Sequence, residues 1–142
     1  MPIVFLTKVF CFRTGGVQKT NPVSCLSQED SKIPGKVFLC CDAYRNVYIA
    51  DYENMAVYKM DLETGSCNFV TLLPLPPMGV GVVDDNVCIL TAKSLLLFTP
   101  GGLSLSSTEL WSPDVTQMVV VGKKIVIVYE SGYIQTYELK NV

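Results

Sequence analysis

The chain has 142 residues, a formal net charge of −2, 49% hydrophobic residues and only 17% charged ones, where an average soluble domain carries about 25%. Without a basic excess there is no electrostatic footprint for nucleic acid. Without a single histidine, the commonest general base, zinc ligand and pH switch are all missing.

Met1 to Phe12 is apolar, but Lys8 interrupts it and no basic segment precedes it, so no secretion signal is expected. No uninterrupted apolar run reaches about 18 residues, which argues against a membrane-spanning helix. Cys11, Cys25, Cys40, Cys41, Cys67 and Cys88 show no Cys-x-x-Cys spacing, several lie in apolar runs, and no Asn-x-Ser/Thr sequon occurs, Asn21 being followed by Pro22. These features point to thiols behaving as small hydrophobes in a reducing cytoplasmic or nuclear setting.

The chain writes one pattern four times: a short β-branched strand, a tight polar turn, a second strand and a small-residue loop. The first strands begin at Val4, Val47, Val87 and Val126, a period of roughly 40 residues that marks β-propeller blades. Around the first copy, Val4-Phe5-Leu6 and Val9 to Phe12 read as strands. An opening strand of the second unit lies within Pro22 to Gln28, followed by strands at Lys36 to Cys41, Val47 to Ala50 and Met55 to Met60. Turns fall at Asp42 to Asn46 and Asp51 to Asn54, and Asp61-Leu62-Glu63-Thr64-Gly65 closes the unit.

In the third unit a strand ends at Leu72, and Pro74, Pro76 and Pro77 forbid ladder bonds and force a connection. Strands follow at Met78 to Val83, Val87 to Thr91 and Leu95 to Phe98, with turns at Asp84-Asp85-Asn86 and Lys93-Ser94, until Pro100-Gly101-Gly102 ends the unit. The fourth unit runs through Leu103 to Leu110, Val115 to Val121, the turn Gly122-Lys123-Lys124, Ile125 to Tyr129 and Tyr133 to Leu139. No window carries a helical apolar period free of strand punctuation. The continuous apolar runs Val37 to Cys41 and Met118 to Val121 are expected to be inner strands buried on both faces.

Asn46-Val47-Tyr48-Ile49-Ala50-Asp51, followed by Ala56-Val57-Tyr58-Lys59-Met60-Asp61 and Glu63-Thr64-Gly65, resembles blades of the quinoprotein-like, NHL and WD-repeat propellers. The resemblance covers about two-thirds of the chain as a blade pattern, while the literal motif occurs once. It departs from the WD-repeat pattern, having no Gly-His pair and no Trp-Asp dipeptide; Trp111 is followed by Ser112. What the resemblance implies is a scaffold that binds other proteins on its loop-bearing faces.

The expected fold is thus all-β, a propeller segment of about three and a half four-stranded blades, with a partial blade at 1–16 and blades at 17–66, 67–102 and 103–142. A β-sandwich or a trefoil is the alternative. Closed propellers need at least about four blades, so an incomplete ring calls for other proteins or a second copy to complete it.

Catalytic chemistry finds little support. Asp84-Asp85 fits a hairpin turn, and Asp51 with Glu53 fits a solvated turn better than a cation loop. Cys40-Cys41 is expected to be two buried strand residues in preference to a vicinal disulfide. Gly15-Gly16 and Gly101-Gly102 precede no helix and cradle no phosphate, and Ser104, Ser106 and Ser107 have no histidine partner. No cofactor or metal is expected. Recognition remains: Tyr44 and Arg45, of types enriched at binding hot spots, Asp84 and Asp85, and Lys123 and Lys124 occupy equivalent turns and are the candidate partner-binding residues. Trp111 is expected to pack between blades. The expected function is a non-catalytic protein-interaction scaffold belonging to a larger propeller assembly. The alternatives are a truncated module of a propeller enzyme, such as a quinoprotein-like oxidoreductase whose catalytic blades lie elsewhere, and a lectin-like trefoil.

Overall fold

The computed structural model describes residues 36–139; the first strand pair (Val4 to Phe12), the segment Pro22 to Gln28, Gly15-Gly16, Cys11 and Cys25 lie outside the described residues. Among the described residues there are eleven strands and no helix. They form three antiparallel meanders. The first sheet runs β1 (Val37–Cys41), β2 (Asn46–Asp51), β3 (Ala56–Asp61), β4 (Cys67–Leu72). The second runs β5 (Pro77–Val83), β6 (Asn86–Thr91), β7 (Ser94–Phe98), β8 (Ser104–Glu109). The third has β9 (Val115–Val121), β10 (Lys124–Tyr129) and β11 (Ile134–Glu138), with β10 in the middle. The architecture is all-β and propeller-like, with open sheets.

Turn chemistry sets the meanders. Val83 pairs with Asn86, which leaves Asp84 and Asp85 alone in the loop at φ 51° and 66°. Two successive left-handed residues make the type I′ turn that matches strand twist. Gly122 at φ 62° starts the β9–β10 turn, where Val121 pairs with Lys124, so Lys124 belongs to the strand and not to the tip. Elsewhere carboxylates close the turns: Asp42 Oδ1 accepts from the Tyr44 and Asn46 N–H groups, Asp51 Oδ1 from Glu53 and Asn54, and Asp61 Oδ1 from Glu63 and Thr64. These are Asx-type turns, so Asp51 and Glu53 meet as backbone cap and capped residue. Thr91, at the end of β6, does the same work with a hydroxyl that accepts from Lys93 and Ser94.

Grouping strands by hydrogen bonding moves the blade boundaries from where the sequence pattern put them. Cys67–Leu72 pairs with β3 and closes the first sheet, where it was expected to open the next unit. Ser104–Glu109 likewise pairs with β7 and closes the second sheet. The reason is local. Asp61 and Gly65 (φ 75°) fold β3 tightly back into β4, whereas the proline-bearing stretch between Leu72 and Pro77 cannot continue a ladder.

Contacts between sheets run through the first strands, β1 on β5, β5 on β9 and β2 on β5. The second sheet is filled from both sides. Val87, Ile89, Leu96 and Phe98 join Tyr48, Ala50 and Val57 in one core, while Cys88, Leu90, Leu95 and Leu97 join Ile125, Ile127 and Tyr129 in the other. Successive strand residues face opposite ways, so the unbroken apolar runs of β6 and β7 feed two cores at once. The runs expected to be doubly buried, Val37 to Cys41 and Met118 to Val121, are not: Leu39, Val119 and Val121 are 58%, 51% and 63% exposed. Leu39 and Val119 line a cleft between the first strands instead of a packed interface.

Candidate functional site

Two glycines on β5 let the third sheet come close. Positions 79 and 81 face Met118 and Val120 of β9, respectively. Residue numbers rise together along both strands, so β5 and β9 run parallel and their following turns lie on one rim. The β1–β2 turn lies beside them, since β1 and β2 both pack on β5 and Tyr48 shares a core with Val87. Burial, then Asp42, Cys40 and Asp85, push the Tyr48 phenol up to about 12. The β3–β4 turn is tied to the same rim by the Leu62 N–H donating to the Arg45 carbonyl at 3.0 Å.

The rim thus carries the tips with Tyr44 and Arg45, Asp84 and Asp85, and Lys123, with Lys124 at the foot of β10 opposite Glu138. Tyr44 is exposed. The Arg45 guanidinium donates to Glu63 Oε1 at 2.8 Å with both side chains largely in solvent, an arrangement worth only about 0–1 kcal/mol. Among the described residues no ion pair joins Asp84 or Asp85 to Lys123 or Lys124.

Along the inner side, Phe38 and Leu39 of β1, Met78, Gly79 and Val80 of β5, and Thr116 to Val119 of β9 line a groove of about 440 Å³. Its side chains are mostly apolar, with Thr116 and Gln117 the polar ones, while exposed polar atoms make up about as much of its surface as apolar ones. A smaller cleft of about 120 Å³ lies between the second and third sheets beside Cys88, Ser106, Thr108, Ile125 and Tyr137. The Tyr137 hydroxyl is buried and makes no hydrogen bond; burial first, then Tyr129, pushes its phenol up.

The opposite rim holds a feature that the sequence reading misplaced. Trp111 does not pack between blades: it is 60% exposed. Its ring lies 4.8 Å from that of Tyr133 at a 54° tilt and 5.5 Å from that of Tyr129 edge-on. Asp114 fixes the arrangement. Its carboxylate accepts from the Ser112 hydroxyl and the Ser131 N–H, and its carbonyl accepts from the Glu130 N–H, locking the β8–β9 connection to the β10–β11 turn. The sequence signal was present in Trp111-Ser112-Pro113 beside Tyr129 to Tyr133, but only the pairing of β9 with β10 brings the two together.

Nucleophilic chemistry finds a poor setting in the described thiols. Burial pushes Cys40 and Cys88 up to about 12, which keeps them protonated near neutrality. Cys40 is half-buried and Cys41 exposed, both free, so the expectation of two buried residues is corrected. Cys67, by contrast, is disulfide-bonded, unlike the all-thiol expectation. Among the described residues no group of three or more acidic, cysteine or histidine side chains is placed to hold a metal ion. No helix among them is long and apolar enough to cross a membrane.

No family model and no curated protein matches the sequence. Solved structures do resemble the fold. The computationally designed Ika4 protein aligns with a TM-score of 0.59 at 12% identity, over 72% of this chain and 64% of that one. Virginiamycin B lyase from Staphylococcus aureus aligns at 0.52 and 19% identity, over 75% and 42%. A chain of the S. cerevisiae assembly of Dbp5 with Nup159, Gle1, IP6 and ADP aligns at 0.53 and 22%, over 78% and 29%. The chain therefore spans less than two-thirds of each of these structures. At such identities the likeness is one of fold: a propeller-like stack of antiparallel sheets.

Proposed function

We propose that this chain is a non-catalytic protein-interaction scaffold, an arc of a β-propeller that works within a larger assembly. The inner groove carries the reading. Its first strands present Leu39 and Val119 to solvent, and Val121 lies just beyond, in a protein with little charge to offset them. Large apolar side chains left exposed along unpaired inner edges mark association sites, and a second copy or another propeller-bearing protein is their natural cover. The hairpin tips with Tyr44, Arg45, Asp84, Asp85, Lys123 and Lys124 would supply a polar recognition rim beside it. A cytoplasmic or nuclear home belongs to the same proposal, supported by the free thiols of Cys40, Cys41 and Cys88 and opposed by the bonded Cys67.

Light scattering on the full chain tests it. The expected result is a dimer or larger species that Leu39→Glu with Val119→Glu returns to monomer, or a chain soluble only with its partner. A compact monomer of 15.6 kDa whose state those substitutions leave unchanged, and which captures no propeller partner, would sink the proposal.

A further inference from the structure

On the rim opposite the hairpin tips, Trp111, Tyr129, Tyr133, Ile134 and Gln135 line a pocket of about 290 Å³. That is room for one side chain, since pockets for whole small molecules start near about 300 Å³. Tyr133 and Ile134 are 62% and 65% exposed, an unusual density of bare aromatic and aliphatic surface at a polar turn. The corner is preorganised. Asp114 ties both backbone segments together, and the Tyr129 hydroxyl donates to Gln135 Oε1 at 2.6 Å, holding the ring that Trp111 meets edge-on.

Charge around the pocket has a sign. Among the described residues no charged one lines the pocket itself. Asp114 and Glu130 lie on the two segments that frame it, the Glu130 N–H donating to the Asp114 carbonyl, and Glu109 lies two residues before Trp111. The nearby basic residue is Lys93, whose carbonyl accepts from the Leu110 N–H. Hydrogen bonds from the Ser112 hydroxyl and Ser131 hold the Asp114 carboxyl below its ordinary range, so it keeps its charge. Aromatic faces attract cations through their quadrupoles, and a carboxylate border adds to that attraction.

We propose that the Trp111–Tyr133 corner is a docking site for an arginine side chain of a partner peptide. A guanidinium is flat, stacks on indole and phenol rings and forks to a carboxylate, which a compact ammonium cannot do as well. The arginine stem would lie along Ile134. Trp and Tyr paired with Arg is also the residue chemistry of interface hot spots. The site is independent of the inner groove and stands whether or not that groove is occupied.

Trp111 is the sole tryptophan, so its fluorescence reports on this corner alone. The full chain is titrated with a short Gly/Ser peptide carrying two arginines, and with the same peptide carrying citrulline or lysine. The expected result is saturable quenching by the arginine peptide, about five- to tenfold weaker binding of the citrulline peptide, and intermediate binding of lysine. Tyr133→Ala should weaken the arginine peptide by about three- to tenfold, and Glu130→Gln, which removes one framing charge in solvent, by about twofold. Near-ultraviolet circular dichroism checks that each variant is folded, and Glu130→Gln alone suffices if Tyr133→Ala is not. Equal response to arginine and citrulline peptides, no response up to millimolar peptide, saturation by a pyranoside in its place, or a signal that follows protein concentration would each overturn the proposal.

Discussion

Gly81 on β5 lies so near Val120 on β9 that a Cβ at position 81 would sit 2.5 Å from Val120 Cγ2. The valine cannot turn away cheaply, because its branched Cβ restricts rotation about χ1. Along β5 the third sheet therefore comes close at the glycines, while Val83 at the strand's end packs into the core shared with Val115 and Ile127.

Gly81→Ala should cost about 1–3 kcal/mol as overpacking. Val120→Ala in the same chain should recover part of that loss. A urea-denaturation double-mutant cycle reads the coupling; strict additivity of the two changes would show that the sheets do not meet there.

Gly102 presents a backbone version of the same constraint. It sits at φ 97°, and a Cβ there would run into the Val70 carbonyl oxygen. Gly122, at φ 62°, has open space around it. Gly102→Ala should therefore cost clearly more than Gly122→Ala, which pays only the left-handed penalty of about 1–2 kcal/mol. Comparing the two denaturation midpoints checks the ranking.

Thiol reactivity should divide the cysteines. Cys41 is exposed, whereas burial holds Cys40 and Cys88 at about 12. Iodoacetamide at about pH 8 should label Cys41 first, with Cys40 and Cys88 following only on unfolding. Cys67 should stay unlabelled until a reductant is added. Peptide mass spectrometry reads the order, and labelling of Cys67 in native, unreduced protein from cells would show it as a thiol there.

Acid should weaken the β1–β2 turn. Burial works to raise the Asp42 carboxyl, but hydrogen bonds from the Asn46 side chain and N–H and from the Tyr44 N–H outweigh it and hold the group below 3.8. A carboxyl depressed in the folded state stabilises fully above its unfolded value of 3.8 and loses that contribution as pH falls through its lower folded value. Wild-type stability should therefore fall more steeply below about pH 4 than that of Asp42→Asn. The group is largely exposed, so the difference will be small; identical acid profiles would remove Asp42 from the account.

Strands were legible from the chain because alternation and turn chemistry are local. Val87 to Leu90 and Leu95 to Phe98 announce themselves by apolar runs, and Asp84-Asp85 by its tolerance of left-handed backbone. Sheet membership was harder. Cys67–Leu72 is an ordinary strand whichever neighbour it joins, and only the tight Asp61–Gly65 fold against the proline-bearing connection decides it. Exposure was not local at all. Met118 to Val121 and Trp111 have the composition of buried residues, yet what covers them depends on the packing of whole sheets. The candidate turns were found on one rim as the repeat implies, while the aromatic corner arises from two segments that the chain keeps apart.

The serine-rich strand β8 has every residue exposed along the outer border of the second sheet. A strand added there would gain backbone bonds but bury hardly any hydrocarbon. The inner strands β1, β5 and β9 offer more: each pairs on one side only, and Leu39, Val119 and Val121 add exposed hydrocarbon. The contrast is one of edges: a strand added at β8 would gain pairing alone, whereas one added along the inner edges would gain pairing and buried hydrocarbon together.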